Sequence, residues 1–318
     1  KDCIVRNNHS QSGGGMWVGG PAVIEHCMVT NNRADGAGGG LRLKNGVQVR
    51  NCIVADNTAD RGAGVFCLVG SVTVENCTII ENVAVTTNGV GGVEQADKLV
   101  NNIIWNNRRK KGDGDEVCNY SLGSVNSVVA FNCTSPADTN HFNIDKDPHF
   151  LTNNGIGHAW GRYKLRCSSP CVDSGEDLYA IGVTNDFVKL SRPRDGDHNG
   201  TNDFDMGAFE YDPVTTDSDD DGSTDEDEYV AGTDPTNGTS VLEITDMDTS
   251  STNGIAFTWY GKNGKTYTVY YRINLSQAWN KVPGATNIPG RDAVISWTNT
   301  APGHANFKFY KIGVQNKK

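Results

Sequence analysis

The stretch NCIVADN at residues 51–57 returns as NCTIIEN at 76–82. Looser copies flank the pair: DCIVRNN at 2–8, HCMVTNN at 26–32, NNIIWNN at 101–107 and NSVVAFN at 126–132. Their second residues are Cys3, Cys27, Cys52, Cys77, Asn102 and Ser127, spaced by 24 and then four times by 25. Two places later stand Val5, Val29, Val54, Ile79, Ile104 and Val129, all β-branched and suited to a sheet interior. Five places later stand Asn8, Asn32, Asn57, Asn82, Asn107 and Asn132. A period of 25 with such short apolar runs leaves no room for paired helices. It fits one turn of a parallel β-helix, whose successive coils stack about 4.8 Å apart, so that equivalent residues form columns along the axis. The pattern predicts six coils, a rod about 29 Å long, a dry Val/Ile column, and one file of stacked asparagines where the strand turns.

Working outward, glycine clusters recur once per coil, at 13–15, 36–40, 62–64 and 89–92, where the chain must bend into its next strand. The runs AVIEHC, VQVRNC and VTVENC then lead back to the cysteine position, giving two or three short strands per coil. Four of the nine cysteines are therefore column members, which point the same way from parallel strands and read as small buried hydrophobes. Cys118 with Cys133 and Cys167 with Cys171 are the expected disulfides, and Cys67 is left over. No pair of CxxC motifs stands at zinc-ligand spacing.

The 318 residues allow two or three compact units, and 37 glycines with only 36% hydrophobic residues exclude an all-helical protein. No apolar run reaches the roughly 18 residues that cross a bilayer, so no transmembrane segment is expected. The chain begins at Lys1 with neither initiator Met nor leader, so an earlier piece is expected upstream. If instead the mature protein started here, its bare first coil would invite head-to-tail self-association. The net charge of −10 is local: eight acidic residues crowd positions 217–228, and the remaining 30 nearly balance 28 basic ones. No basic face for phosphate is supplied, which argues against nucleic acid as a partner.

Downstream, DPHF (147–150), YKLRCSSPCVDSG (163–175) and RPRDGDHNGTNDFDMGAFEY (192–211) succeed the coils. With the NCxI/V coils and GGG turns they resemble the bacterial secreted choice-of-anchor Q domain proteins. Those are right-handed parallel β-helices, related in pattern to polymorphic outer-membrane protein repeats and more distantly to pectate-lyase-like folds. The resemblance spans residues 1–213 and is most specific at Asp205, Gly207 and Glu210 of DMGAFE. It departs from the family at Cys167 and Cys171, where the segment more often reads SPAIDAG. It implies an extracellular or bacterial cell-surface location and carries no activity, since the fold hosts lyases, hydrolases and non-enzymes.

DSDDDGSTDEDE, residues 217–228, fills every key position of a twelve-residue EF-hand-type loop. Asp217, Asp219 and Asp221 stand at positions 1, 3 and 5, with Gly222 at the sharp turn. Ser223 offers its carbonyl at 7, and Asp225 and Glu228 stand at 9 and 12. Hard oxygen ligands favour Ca²⁺ over Zn²⁺ or Mg²⁺; the alternative is an acidic disordered linker. The adjoining run EYVAGTDPTN resembles bacterial thrombospondin type 3 repeats, and that resemblance implies Asp234 as a further ligand. With one loop and no Met-rich groove, a brace between domains is expected rather than a signalling switch. Upstream, Asp195, Asp197, Asn199, Thr201 and Asp203 repeat the pattern around Gly200, but Met206 stands at position 12. A second calcium competes there with an Asx-turn loop bonded to itself.

From Val241 the pattern turns to longer alternating strands separated by Gly, Asn and Pro, which predicts an antiparallel β-sandwich. GKTYTVYYRINLSQAW resembles C-terminal modules of bacterial secreted proteins that come after such loops. Tyr260, Tyr267, Tyr270, Tyr271, Trp279 and Trp297 form either a sugar-stacking face or, for half of them, core. The basic run RRKK at 108–111, expected as the longest loop of the rod, either grips an anionic glycan or is a solvated tip. For catalysis the outer face offers Asp56, Asp60, Glu75 and Glu81 with Arg50 and Arg61, but no lyase or glycosidase constellation stands out and no catalytic residue is assigned. The chain thus reads as all-β: a parallel β-helix over 1–213, a calcium linker over 214–239 and a sandwich over 240–318. The expected role is a secreted or surface scaffold, adhesive, touching polysaccharide or forming fibres. The alternative is a polysaccharide lyase or glycoside hydrolase.

Overall fold

A computed structural model describes residues 1–112, 114–124, 126–137, 141–151, 160–178, 182–248, 254–299 and 309–316. Two compact units, Lys1–Asp212 and Pro213–Lys318, divide the chain.

The first unit is a parallel β-helix. Its leading sheet stacks Ile4–Arg6, Met28–Thr30, Ile53–Ala55, Thr78–Ile80, Ile103–Trp105 and Cys133–Thr134 in that order. Register advances one coil per strand, with Val5 on Val29, Val29 on Val54 and Val54 on Ile79. Each complete coil has four short strands rather than two or three. A two-residue strand such as Thr58–Ala59 comes after the leading one, then the post-glycine strand such as Val65–Cys67, then the return strand such as Thr73–Glu75. The interior column is dry: Val29, Val54, Ile79 and Ile104 are fully buried with Leu41, Val65, Val74 and Leu99.

Both ends of each leading strand turn through one residue in the left-handed region. Asn51, Asn76 and Asn101 make the first corner, and Asn31, Asp56, Glu81 and Asn106 the second. Asn and Asp tolerate this conformation best among residues with a Cβ. The residue after each corner points inward and carries a ladder. Asn57 donates its backbone N–H (2.9 Å) and its amide Nδ2 (2.9 Å) to Asn82 Oδ1, and Nδ2 also reaches Val29 O at 2.9 Å. Asn8, Asn32, Asn82 and Asn107 repeat the bond to the next rung. At the first corner thiols do the same work: Cys27 N–H donates to Cys52 Sγ at 3.4 Å, and Cys52 Sγ donates to Arg50 O at 3.0 Å. Gly40 packs beside the ladder, where a Cβ would stand 2.6 Å from Gly64 O and 3.0 Å from Asn57 Nδ2.

The sixth copy departs from the expected register. RRKK is no loop: Arg108–Lys111 pairs antiparallel with Gly114–Val117 as a hairpin extending the second sheet. That insertion displaces the downstream chain, so Val129 stacks on Leu99 in the return-strand sheet rather than on Ile104. Ser127 is not a rung. Asn132 lies in the first-corner file, accepting from Asn102 N–H and Nδ2 at 2.9 Å and bonding onward to Asn143. The second-corner file ends instead on Asn119, which accepts from Asn107 at 3.0 Å. Five of the six predicted asparagines share one file, and the rod has five complete coils.

Residues beyond the coils run back over the outer face of the leading sheet. Tyr163, Ala208 and Phe209 pack on Met28, Ile53, Ala55 and Ile80, which is why these strands are buried on both faces. Corner residues dock this return segment: Asn101 exchanges bonds with Glu176 (2.7 and 2.8 Å), Asn76 Nδ2 reaches Asp205 O (3.3 Å), and Thr78 Oγ1 accepts from Ala208 N–H (3.0 Å). DMGAFE is its anchor. Buried Arg192 pairs with Glu210 at 2.9 Å, Asp205 accepts from Asp173 N–H at 2.7 Å, and Gly207, at φ 93, leaves no room for a Cβ, which would sit 2.7 Å from Ile103 Cδ1.

None of the nine cysteines stands in a disulfide, so neither expected bridge forms. Cys133 donates to Lys146 O at 3.1 Å and packs with Cys171 in the return-segment core, whereas Cys118 sits at the foot of the hairpin, its carbonyl accepting from Gly91 N–H at 3.1 Å.

The second unit has two antiparallel sheets, as the alternation predicts. Asp246–Asp248, Ile255–Gly261 and Ala293–Asn299 form one; Lys265–Arg272 pairs with Asn280–Lys281, Ile288–Pro289 and Phe309–Asn316 in the other. Their core is Phe257, Trp259, Tyr267, Val269 and Ile295.

Candidate metal centre

The acidic loop belongs to the second unit and leads into its helix, Asp225–Ala231. Thr224 caps that helix by accepting from Asp227 N–H at 3.2 Å, and Gly232, at φ 77, ends it. Four acidic residues in the first turn suit the positive end of the helix dipole. The helix is held to its own unit by Lys265, whose Nζ donates to Tyr229 O at 2.8 Å and to Asn316 Oδ1 at 2.7 Å.

Within the loop each aspartate spends one oxygen on the backbone. Asp217 Oδ2 accepts from Gly222 N–H (3.0 Å), Asp219 Oδ1 from Asp221 N–H (3.3 Å) and Asp221 Oδ1 from Ser223 N–H (2.8 Å). Gly222 makes the turn at φ 97. The carboxylates of Asp217, Asp219 and Asp221 lie within 4.8 Å of one another. Their other oxygens, Asp217 Oδ1, Asp219 Oδ2 and Asp221 Oδ2, are buried and have no hydrogen-bond donor, and the same holds for both oxygens of Glu228, a residue only 2% exposed. Five donorless buried carboxylate oxygens in one loop would be strongly unfavourable without a cation. Burial pushes the Glu228 carboxyl up to about 7, opposed by the nearby Thr233 hydroxyl and aided by the charges of Asp219, Asp221 and Asp225. Asp219 is raised as well, first by burial and then by Asp221.

Two expected ligands are turned elsewhere. Asp225 is fully buried and grips Ser218, accepting from its N–H at 2.8 Å and its hydroxyl at 2.6 Å. Asp234 Oδ1 closes an Asx turn on Thr236, at 3.0 Å from its N–H and 2.7 Å from its hydroxyl. Asp217, Asp219 and Asp221 form the acidic cluster, and Glu228, whose buried oxygens likewise lack a donor, is the further loop carboxylate left for a cation. A flexible set of hard oxygens fits Ca²⁺, the Glu being free to bind through both oxygens.

The upstream loop is largely bonded to itself. Asp195 accepts from Asn199 and Gly200 N–H at 3.0 Å, Asp197 Oδ2 accepts from Asn199 Nδ2 at 2.9 Å, and Thr201 bridges Asn199 Oδ1 and Asp203 Oδ2. Its acidic cluster consists of Asp195, Asp197 and Asp173, not Asp203. Asp173 escapes the twelve-residue pattern because it lies 22 positions upstream, in VDSG. Its Oδ2 accepts from Gly196 (2.9 Å) and Asp197 (2.7 Å) N–H, and burial lifts its carboxyl to about 6.

Three of the four carboxylates considered for catalysis, Asp56, Glu75 and Glu81, stand in ion pairs. Glu75 is buried between Arg50 and Lys98, both at 3.0 Å. Arg61 is spent on buried Glu94, which also accepts from Gly62 N–H at 2.7 Å. Asp56 lines a groove of about 380 Å³ with Arg6, Asn31 and Tyr163, but Arg162 holds it at 2.6 Å and reaches Glu81 at 3.7 Å. Asp60 lies at the surface of a corner, its backbone carbonyl accepting from Thr86 Oγ1 at 2.6 Å. In the basic hairpin Arg109 and Lys111 pair with Glu116 (3.0 and 3.1 Å) and Lys110 with Asp115 (3.4 Å), while Arg108 Nη2 donates to Asn106 Oδ1 at 3.0 Å.

A family model described as right handed beta helix region matches residues 1–108. Neither a curated protein nor a solved structure matches the chain. The stacked coils and this match agree, and the amino-terminal unit is a right-handed parallel β-helix.

Proposed function

We propose that the protein is a secreted or surface-displayed bacterial scaffold, a β-helix joined to a calcium-braced sandwich unit that contacts carbohydrate without turning it over. The observation that carries this reading is the covering of the leading sheet, whose outward face is packed against the chain's own return segment. A β-helix enzyme that worked on that face would need it open, with a free acid or base. The calcium brace is supported by the donorless oxygens of Asp217, Asp219, Asp221 and Glu228. Calcium held there would fix the loop and the helix it leads into, which Lys265 ties to the sandwich. The lyase or glycosidase alternative would have to use the groove beside Asp56, where Arg162 occupies the carboxylate. Incubating the protein with acidic and neutral polysaccharides, with calcium and with chelator, separates the two. Binding without new reducing ends or unsaturated products is expected; calcium-dependent product release would overturn the scaffold.

A further inference from the structure

The sheet built on Lys265–Arg272 turns Tyr267, Val269 and Tyr271 into the core. Alternation then sends Tyr270 and Arg272 outward, opposite Lys311 and Phe309 of the neighbouring strand. Trp279 arrives from the preceding loop, and Lys281 pairs with Tyr270 on its other side. The side chains interleave: Arg272 stands 5.5 Å from the Phe309 ring and 4.4 Å from Trp279, and Lys311 stands 5.1 Å from Trp279 and 5.5 Å from Tyr270. The order across the face is ring, cation, ring, cation, ring.

Among the described residues none of Arg272, Lys281 and Lys311 pairs with a carboxylate, whereas in the hairpin of the first unit Arg109, Lys110 and Lys111 each do. Gly313 lets Tyr270 lie flat, since a Cβ there would come within 2.8 Å of its Cε2. Beside Tyr270 and Lys281 a polar hollow of about 190 Å³ presents Thr268, Asn287 and Gln315, groups that can bond hydroxyls.

We infer that this outer face binds an anionic polysaccharide, its rings stacking on sugar faces while Arg272, Lys281 and Lys311 meet carboxylate or sulfate groups. Aromatic planes match pyranose rings, and cations pre-organised over rings need little reordering to meet an anion. The hydroxyl-bonding hollow beside Tyr270 and Lys281 favours a polysaccharide over a phosphate polymer. The inference names a site for the carbohydrate contact proposed above and rests on that part of it alone, not on calcium or on the absence of turnover.

The test is retention of the full chain on immobilised polygalacturonate (carboxylate), dextran sulfate (sulfate), a neutral xylan and a single-stranded oligonucleotide, at low salt and micromolar calcium. Retention on one or both anionic polysaccharides is expected, weakened at least about tenfold in Arg272→Gln/Lys311→Gln and in Trp279→Ala, and unchanged in Lys110→Gln/Lys111→Gln. A melting curve confirms that each variant is folded. If one is not, Lys311→Gln alone together with the salt dependence of the wild type carries the test: salt-insensitive binding refutes the site. Equal retention of all variants, or preference for the neutral polymer or the oligonucleotide, also overturns it. Calcium stabilisation surviving such a failure would leave the braced scaffold standing, while product formation on a retained polymer would remove the scaffold reading and leave this face in place.

Discussion

A single side chain in a ladder does more than fill space. Asn82 accepts from Asn57 through Oδ1 and donates through Nδ2 to Val54 O, Ile80 O and Asn107 Oδ1, all between 2.8 and 3.0 Å. Replacing it with leucine strands buried backbone groups on two coils. Asn82→Leu is expected to destabilise the first unit by about 3 kcal/mol in urea unfolding, at roughly 1–3 kcal/mol per orphaned group. A loss below about 1 kcal/mol would mean that the file is not structural. Charge enters at the same scale in the return segment. Burial first raises both the Asp205 and the Glu210 carboxyls; the charge of Glu210 adds to the rise at Asp205, and those of Asp186 and Asp173 add to the rise at Glu210, where Arg192 opposes it. Groups that hold a proton more tightly when folded contribute stability below their unfolded pKa and lose it as pH climbs through the folded value. The melting temperature of the first unit should therefore fall by about 5 °C between about pH 5 and pH 8, read by calorimetry; a rise over that range would contradict the assignment.

Elements explain what the sequence could reveal and what it hid. Coils one to five are legible because Val/Ile and Asn recur at fixed offsets, and each offset maps to one column. The sixth is misleading: NSVVAFN keeps the spacing of 25, but the hairpin Arg108–Lys111 with Gly114–Val117 adds length, so Val129 meets Leu99. Periodicity in text cannot distinguish a true rung from a copy displaced by an insertion. The covered leading sheet is readable in principle, since IVA is apolar throughout and TII carries two adjacent isoleucines rather than alternating, which marks strands buried on both faces. In the acidic loop the spacing points to Asp217, Asp219, Asp221 and Glu228, and the three aspartates do cluster. It could not show that Asp225 and Asp234 have other partners, because a ligand pattern carries no information about Ser218 or Thr236. Replacing the hairpin residues 109–116 with a two-residue turn should leave the coils intact, shifting urea stability by less than about 1 kcal/mol, because its ion pairs are largely solvent-exposed. Loss of cooperative unfolding would show that the hairpin is part of the core.

At the scale of the molecule two units are stabilised by different means. The first rests on a continuous dry column and two ladders. The second has a small aromatic core and a loop of clustered carboxylates, for which a calcium ion is proposed as the brace. Calcium should accordingly raise the melting of the second unit alone, by about 2.7 kcal/mol in stability at a hundredfold excess over the dissociation constant. The most direct test of the calcium brace is isothermal titration of Ca²⁺ into the chelator-treated full chain, alongside Glu228→Gln. Binding at the 217–228 loop, weakened at least about tenfold by that substitution and accompanied by the selective rise in melting, is the predicted result. No calcium-dependent heat and no melting shift, or identical titrations for both proteins, would contradict it.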